Sequence, residues 1–413
     1  MTVRRKAFDV LKEIIDNGAY ANIALKHASV HVSGNDINML YSLVYNALDH
    51  RSYIEYILPY YCKLPKKQVR MVLLLGISEL LFLSTPAHAV ISETVELTKE
   101  IGKQEICGFV NAVMRRIDRE RDSLPPLPSD SFERMTVLYG YPRFMVREWI
   151  DCFGEKNTLE ILQFKNTDFQ IRPQYPFTPE NLVETINTPY RRGSHDPNCF
   201  YLEKAFDPGS NDLYLNGKIA IQSEGAMIVC RSVPDLRGKR VLDACAAPGG
   251  KTAYLSSLAE NDLDLTAWEV HPHRFNLLNS TLSRLHVHAK TECKDASVQD
   301  MTYSRSFDRV LLDVPCSGFG LLADKPDLRY TKTEDSILSL IQLQQSILEA
   351  CSDYVVSGGY LIYATCTISR RENSDQVNSF LRRHSDYTLV DDRQLLPFSD
   401  HTDGFYYAVL KRI

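Results

Sequence analysis

The chain has 413 residues, of which 44% are hydrophobic and 24% are charged, and its formal net charge is −5 at pH 7. Such a chain is too long for one compact core, which predicts two or three domains of ordinary soluble composition. The acidic balance excludes a general attraction to nucleic acid, so an RNA or DNA contact requires a local basic patch.

Targeting and membrane segments are not expected. The first residues, MTVRRKAFDVLKEIIDNG, mix charges at helical spacing and have no continuous apolar stretch, which argues against a signal peptide. The longest apolar run, Met71 to Leu83, contains Ser78 and Glu79 and is too short to cross a bilayer. The ten cysteines are scattered without a CxxC pair, which argues against disulfides and a zinc site. We therefore expect a cytoplasmic protein without a bound metal.

Residues 3 to about 120 are predicted to form helices only. The first apolar stripe has the 3.6-residue period of a helix and consists of Ala7, Val10, Leu11 and Ile14. Further apolar stripes at helical spacing occur in residues 37–61, 66–83, 88–102 and 108–120. The proline-rich segment SLPPLPSD at 123–130 predicts a linker after an all-helical domain at 1–122.

The middle of the chain, residues 131–216, is predicted to be a small mixed α/β subdomain, because proline-spaced extended segments follow a helical stretch. From 217 to 413, short apolar runs alternate with helical stretches. This alternation is typical of α/β domains with a doubly wound, mostly parallel sheet. The predicted strands are KRVLDA at 239–244, LDLTAWEV at 263–270, FDRVLLDV at 307–314 and GYLIYA at 359–364.

A glycine-rich turn, VLDACAAPGGKT at 241–252, includes the first of these strands. It is not a complete Walker A loop, because Cys245 occupies the position of the first glycine, and it also lacks the G-x-G-x-x-G pattern. Glu269 ends the next strand, at a spacing that suits a carboxylate binding a ribose diol. These residues predict a cofactor with a ribose but no pyrophosphate, such as S-adenosylmethionine. The alternative is that Glu269 only faces solvent.

Two cysteines are predicted at the same edge of the sheet. Asp313 and Cys316 lie at the end of the strand at 307–314, and Cys366 follows the strand at 359–364. In a doubly wound sheet these strands are neighbours, so both thiols and the carboxylate lie beside the cofactor loop. This combination indicates a nucleophilic site. The residues alone do not decide which cysteine attacks.

Four motifs resemble the NOL/NOP/Sun family of RNA cytosine-C5 methyltransferases, most closely its RsmB type, which modifies 16S ribosomal RNA. They are VLDACAAPGGKT, LLDVPCSGFG, YATCTISRREN with Glu372 and Asn373, and the final strand DGFYYAVLKR at 403–412. The helical front is similar to the NusB-like RNA-binding domain of RsmB-type enzymes, through KKQVRMVLLLGISELLF, PAHAVISETVELTKEIG and GFVNAVMRRIDR. The resemblance covers nearly the whole chain. It implies a Rossmann-like, class I methyltransferase domain at 217–413.

The resemblance also implies roles for individual residues. Those implied to bind S-adenosylmethionine are Cys245, Ala246, Ala247, Pro248, Gly249, Gly250, Lys251, Glu269, Asp295 and Asp313. Cys366 is implied as the nucleophile that adds to C6 of cytosine, Cys316 as the residue that assists product release, and Asp313 as the acid near N3. The target base must be unpaired or flipped out of a helix to be reached.

The implied partner is RNA, with 16S rRNA favoured, bound by a monomer. The residues implied to contact RNA are Arg115, Arg116, Arg119, Lys325 and Arg329. The arginines also fit an ordinary solvated helix end, which is the alternative without a function.

The chain departs from the family pattern where the RNA and cofactor walls are expected. Ser223 replaces an aspartate, Phe319 replaces a threonine, and Ala323-Asp324 replaces a basic pair. One alternative is the same reaction on tRNA, which members of the family also perform. Another is an RNA-binding factor without catalytic activity, against which the intact Cys316, Cys366, Asp313 and glycine-rich loop argue.

Overall fold

The computed structural model describes residues 2–30, 32, 34–165, 168–322 and 325–413. The chain forms two compact units, the first with residues 1–163 and 324–333 and the second with residues 164–323 and 334–413. The division into domains at 1–122, 131–216 and 217–413 stays a prediction. The departure noted at Ala323-Asp324 lies outside the described residues.

The described chain begins with helices and continues with alternating strands and helices. The helices are α1 Val3–Asn17, α2 Ala21–Ser29, α3 Asn35–Tyr61, α4 Lys67–Phe82, α5 Ala87–Glu100, α6 Cys107–Arg119, α7 Ser131–Tyr139, α8 Arg143–Gln163, α9 Pro179–Thr185, α10 Asp212–Leu215, α11 Glu224–Arg231, α12 Gly250–Leu258, α13 Pro272–Arg284, α14 Leu328–Thr331, α15 Glu334–Ser352, α16 Ser374–Arg383 and α17 Pro397–Asp400. The strands are β1 Phe169–Pro173, β2 Tyr190–Arg192, β3 Phe200–Leu202, β4 Ile219–Ile221, β5 Lys239–Asp243, β6 Leu263–Trp268, β7 Lys290–Glu292, β8 Phe307–Asp313, β9 Val355–Thr365, β10 Tyr387–Gln394 and β11 Tyr406–Arg412.

The first unit is built around amphipathic helices. α1 begins after Thr2, whose hydroxyl accepts from the Arg5 N–H, and it ends at Gly18, which has a left-handed φ of 68°. The stripe predicted for this helix is buried. The longest apolar run forms α4, whose residues 71–80 are buried in the same core. Among the described residues, no helix is long and apolar enough to cross a membrane.

A segment from late in the chain completes the first unit. The Arg329 guanidinium in α14 lies 3.0 Å from Asp49 Oδ1 and 4.6 Å from the centre of the Tyr141 ring. Tyr330 donates its hydroxyl proton to the carbonyl oxygen of Leu48 at 2.9 Å. This segment therefore packs within the helical unit, although the chain on either side of it belongs to the second unit.

Replacing Arg329 with methionine is expected to destabilise the first unit by about 3 kcal/mol, because Asp49 would keep a partly buried charge without its partner. The matched control is Arg143→Met, which removes a pair with Glu133 whose side chains are 59% and 40% exposed. That change is expected to cost much less, because water screens an exposed ion pair. Urea unfolding followed by circular dichroism measures both variants. Equal destabilisation would contradict a stabilising role for the late segment.

The second unit contains the predicted doubly wound sheet. Its strand order is β10-β11-β9-β8-β5-β6-β7, in which β5 to β9 are parallel and β11 runs antiparallel to β9 and β10. Both faces of the sheet are covered, since Val241 in β5 packs into one core and its neighbour Leu242 packs into the other. The sheet confirms the predicted fold class and the predicted position of β8 between β5 and β9.

A smaller antiparallel sheet precedes the large one within the second unit. Its strand order is β2-β3-β1-β4. Its own core is small and consists of Ile171, Leu182, Phe200, Leu202 and Ile219. Residues 131–163 belong to the first unit and the strands of this sheet belong to the second, so the mixed α/β subdomain at 131–216 stays a prediction. The sheet brings polar side chains close to the glycine-rich loop.

Candidate active site

A glycine-rich loop joins β5 to α12 at the carboxyl edge of the sheet. The Ala246 N–H donates to the carbonyl oxygen of Trp268 at 2.8 Å, which ties the loop to the end of β6. Gly249 has a φ of 105°, and a Cβ there would come within 3.1 Å of Leu278. A Cβ at Gly250 would meet no atom closer than 3.9 Å. The loop thus leaves open space before the N-terminus of α12, where a ligand is expected.

Asp243 at the end of β5 connects the two ends of this loop through a contact with α12. It is fully buried, and the Thr252 hydroxyl donates to its Oδ2 at 2.7 Å. Burial raises the pKa of Asp243 to about 7, although the hydrogen bond from Thr252 opposes the increase.

The raised pKa of Asp243 predicts a pH dependence of stability. Between its ordinary value of 3.8 and about 7, the folded protein holds a proton that the unfolded chain has released. Stability therefore falls as the pH rises through this window, and the loss persists above it. Asp243→Asn, which keeps an acceptor for Thr252, is expected to lose less thermal stability than the wild type between about pH 5 and about pH 8. Identical pH profiles of the unfolding temperature would contradict this assignment.

A buried arginine from the small sheet holds the same loop. Arg172 is 0% exposed, and it donates to Gln222 Oε1 at 2.6 Å, to Gln174 Oε1 at 2.7 Å and to the carbonyl oxygen of Gly250 at 3.2 Å. Burial lowers the pKa of Arg172 to about 10, so the guanidinium is still charged at neutral pH. This residue was not among the predicted site residues.

Two carboxylates follow the neighbouring strands β6 and β7. Glu269 is only 3% exposed, so the alternative in which it merely faces solvent is wrong. Its Oε1 accepts from the His271 N–H at 2.9 Å, while its Oε2 has an ion pair with Arg274 at the longer distance of 3.5 Å. Asp295 is exposed and accepts from the backbone and the hydroxyl of Ser297.

The two predicted cysteines meet at the carboxyl ends of β8 and β9. Cys316 Sγ and Cys366 Sγ are 3.2 Å apart, and the Cys366 N–H donates to Cys316 Sγ at 3.3 Å. Neither forms a disulfide. The Gly320 N–H donates to the carbonyl oxygen of Cys366 at 3.1 Å, and a Cβ at Gly320 would collide with Gly404. The close approach of these loops therefore requires the glycines.

An ion pair lies beside the thiols. Lys251 Nζ donates to Asp313 Oδ2 at 2.8 Å, and the two side chains are 15% and 25% exposed. Burial disfavours the ammonium form, but the attraction of Asp313 outweighs burial and raises the pKa of Lys251. Cys366 adds to this increase, so its sulfur lies within electrostatic range of the ammonium.

The two thiols have different electrostatic surroundings. The hydrogen bond with Cys366, burial, and then the charges of Cys366 and Glu372 raise the pKa of Cys316 well above its usual value. The N–H of Cys366 opposes this increase without cancelling it. Cys316 is therefore held as a thiol, while Cys366 has the Lys251 ammonium as a neighbour.

The residues predicted to contact RNA lie in the first unit. Arg115 and Arg119 are exposed on α6, and Arg116 forms an ion pair with Glu120 at 3.1 Å. Lys325 is exposed. Arg329 is paired with Asp49 and its side chain is only 8% exposed. Little of its guanidinium is therefore accessible to RNA.

Comparisons with known proteins bear on both units. Residues 234–411 match the family model described as 16S rRNA methyltransferase RsmB/F, and residues 1–119 match the NusB family. The probable ribosomal RNA small subunit methyltransferase B of Bacillus subtilis is 31% identical, over 100% of this chain and 99% of the relative. The ribosomal RNA small subunit methyltransferase B of Vibrio cholerae is 30% identical, over 100% of this chain and 98% of the relative.

Two solved structures share the fold. The crystal structure of PH0851 matches with a TM-score of 0.83 and 22% identity, over 99% of both chains. The structure of NSun6 from Pyrococcus horikoshii with SFG matches with a TM-score of 0.58 and 18% identity, over 66% of this chain and 98% of that chain.

Proposed function

The chain belongs to the RsmB/F family of 16S rRNA methyltransferases, and from this premise we propose that it methylates C5 of a cytosine through a covalent cysteine adduct. The methyl donor of this family is S-adenosylmethionine. The observation that carries the proposal is the 3.2 Å contact between Cys316 and Cys366 beside the Lys251–Asp313 ion pair. Two thiols and a charged pair at one sheet edge are suited to nucleophilic addition to a base.

The residues around the glycine-rich loop fit the cofactor. S-adenosylmethionine supplies an electrophilic methyl group on a sulfonium. Glu269 is buried with one oxygen committed to His271 and the other in a long ion pair, so it can accept from ribose hydroxyls. Gly249 and Gly250 keep the loop backbone free of side chains where the cofactor approaches, and Asp295 follows the adjacent strand.

The chemistry explains why a thiol is needed. C5 of cytosine is a weak nucleophile within an aromatic ring. In the proposed reaction the Cys366 thiolate forms a bond to C6 while N3 gains a proton, which makes C5 electron-rich enough to attack the sulfonium methyl. As the methyl carbon bonds to C5, its bond to the sulfonium sulfur breaks and S-adenosylhomocysteine leaves. Water then accepts the C5 proton, N3 returns its proton to the Lys251–Asp313 pair, and the bond between the Cys366 sulfur and C6 breaks, which restores the ring and frees the thiolate.

The surroundings of each thiol support the assignment of roles. The ammonium of Lys251 favours a thiolate at Cys366, whereas the carboxylate of Glu372 disfavours one at Cys316. Cys366 is therefore proposed as the nucleophile, and Cys316 as the residue that assists product release. Asp313, with the Lys251 ammonium as its proton-bearing partner, is proposed as the acid near N3.

RNA docking is proposed for the helical unit. The exposed arginines Arg115 and Arg119 on α6 and the exposed Lys325 supply cations in a chain whose net charge is negative. Arg116 shares its charge with Glu120 and is expected to contribute less. We further propose that the enzyme acts as a cytoplasmic monomer.

Bisulfite sequencing of total RNA tests the proposed reaction. In cells that lack the gene, one cytosine of 16S rRNA is expected to lose its resistance to bisulfite conversion, and a wild-type copy is expected to restore that resistance. A Cys366→Ala copy serves as the matched control and is expected to restore nothing. Loss of protection in tRNA instead would favour the tRNA alternative, and no change at any cytosine would favour the inactive RNA-binding factor.

A further inference from the structure

A buried hydrogen-bond chain connects the loops that carry the two cysteines. Ser317, which follows Cys316, donates from its backbone to Glu372 Oε2 at 2.9 Å and from its hydroxyl to Glu372 Oε1 at 2.6 Å. The oxygens of Ser317 and Thr367 are 2.7 Å apart. Because the Ser317 proton is directed to the carboxylate, the Thr367 hydroxyl is the donor to Ser317. Thr367 follows Cys366, so the chain runs from one cysteine loop to the other.

The next residue, Asn373, holds the other side of the Cys366 loop. Its Oδ1 accepts from the Thr365 hydroxyl at 2.6 Å, and its Nδ2 donates to the carbonyl oxygen of Thr367 at 3.0 Å. Thr365 and Thr367 are the two neighbours of Cys366 in the sequence. Asn373 therefore holds the side chain before one thiol and the backbone after it, while Glu372 holds the backbone next to the other thiol.

The hydrogen-bond chain is buried from water and is supported by a helix. The side chains are at most 2% exposed in Ser317, Thr367, Glu372 and Asn373. Gln344 on α15 is 0% exposed and donates to Glu372 Oε2 at 3.0 Å and to the carbonyl oxygen of Pro315 at 2.9 Å. A buried carboxylate requires such donors, and a network of this kind is rigid because breaking any bond leaves a buried polar group unsatisfied.

We propose that Glu372 and Asn373 form a clamp that positions the cysteine pair: Glu372 holds the Cys316 loop, Asn373 holds the Cys366 loop, and together they set the distance between the thiols. Both act through their neighbours and are positioning residues. The inference rests on the proposed function, because it concerns the same two thiols. In that reaction the adduct on one cysteine must be released with the help of the other, which requires a fixed separation.

The clamp also gives the two thiols different electrostatic surroundings. The titratable groups that face Cys316 are Cys366, Glu372 and Tyr363, and Tyr363 donates its hydroxyl proton to the Glu372 carbonyl oxygen at 2.6 Å. Of these, Glu372 places a buried negative charge beside Cys316 and so favours its protonated form. Glu372 therefore holds the position of the second cysteine and adds to the effects of Cys366 and of burial, which also favour the protonated thiol.

Alkylation of the full-length protein without RNA tests the clamp. Iodoacetamide labelling of each cysteine is followed by mass spectrometry over a range of pH. Glu372→Gln is expected to move the midpoint for Cys316 labelling to lower pH and to lower kcat by at least about tenfold, with KM for RNA unchanged. The matched control is Asp375→Asn, which removes a carboxylate that is 49% exposed and paired with Arg370. The inference is overturned if the two variants have the same labelling profile and kcat.

A second variant separates position from charge. Thr367→Val keeps the Glu372 carboxylate but removes the hydroxyl that reaches Ser317, and it is expected to lower kcat without shifting the Cys316 midpoint. Its control is Gln376→Leu, which removes a buried amide that donates to the carbonyl oxygen of Ile341 at 2.7 Å. Loss of S-adenosylmethionine binding in Thr367→Val would show that the hydrogen-bond chain only supports the fold, and would overturn the positioning role.

The labelling result is independent of the proposed reaction. If the wild type transfers no methyl group to rRNA, the proposed function fails, while the Cys316 profile of Glu372→Gln still decides whether the carboxylate controls the thiol. If methyl transfer is confirmed and the labelling profile and kcat are unchanged by Glu372→Gln, the clamp alone fails.

Discussion

Replacing Cys366 with alanine is expected to lower methyl transfer by at least about 10³-fold, because no other group would add to C6 of the target cytosine. S-adenosylmethionine binding is expected to be unchanged, since Cys366 follows β9 whereas the glycine-rich loop follows β5. Transfer of a radiolabelled methyl group to rRNA measures the first effect, and calorimetric titration with the cofactor measures the second. Full activity of the variant would refute the nucleophile assignment.

Replacing Cys316 with alanine is expected to give a different defect. The Cys366 adduct would form but would not be released, so the protein should remain covalently attached to RNA and migrate slowly on a denaturing gel. Cys62→Ala serves as the control, because that cysteine lies at the end of α3 in the helical unit. A slow band in Cys366→Ala and its absence in Cys316→Ala would reverse the two roles.

The sequence predicted the central strands better than the edges. β5, β6, β8 and β9 are buried on both faces, so they appear as short apolar runs bounded by turns. β7 has the sequence KTE, and β10 contains several exposed polar residues, so neither carries an apolar pattern that predicts a strand. Both lie at the two ends of the sheet order, where backbone hydrogen bonds rather than side-chain burial define the strand.

The location of the candidate site was predictable because parallel strands end at one edge. Glu269, Cys316 and Cys366 all follow parallel strands, so topology alone places them near the glycine-rich loop. Arg172 was not predictable, since it reaches the loop from a separate sheet. Arg329 was predicted as an RNA contact, but its ion pair with Asp49 was not predictable, because the two residues are far apart in the sequence.

Lys251 is a site residue whose chemistry the sequence did not reveal. It was expected only to help bind the cofactor, as part of the glycine-rich loop. Its ion pair with Asp313 joins the end of β8 to the start of α12, and the ammonium also interacts with Cys366. The Lys251 ammonium therefore interacts with both Asp313 and Cys366, so a single substitution of Lys251 should affect both groups.

Replacing Lys251 with methionine is expected to lower methyl transfer by at least about 10²-fold and to move the labelling of Cys366 to higher pH, because the thiolate loses a nearby positive charge. Asp313→Asn is expected to lower transfer as well. The double variant should lose less than the product of the two single losses, since each single change already breaks the same pair. Lys290→Met is the control. Lys290 also forms an ion pair, with Glu292, but its side chain is 63% exposed.

The pH profile of Cys366 labelling decides between two roles for Lys251. If the ammonium only helps to hold the cofactor, Lys251→Met weakens S-adenosylmethionine binding and leaves the labelling of Cys366 in the protein alone unchanged. If it also supports the thiolate, the profile moves to higher pH whether or not the cofactor is present. Lys251→Arg, which keeps the charge, should then retain the wild-type profile more closely than methionine does, because the positive charge rather than the amine itself favours the thiolate.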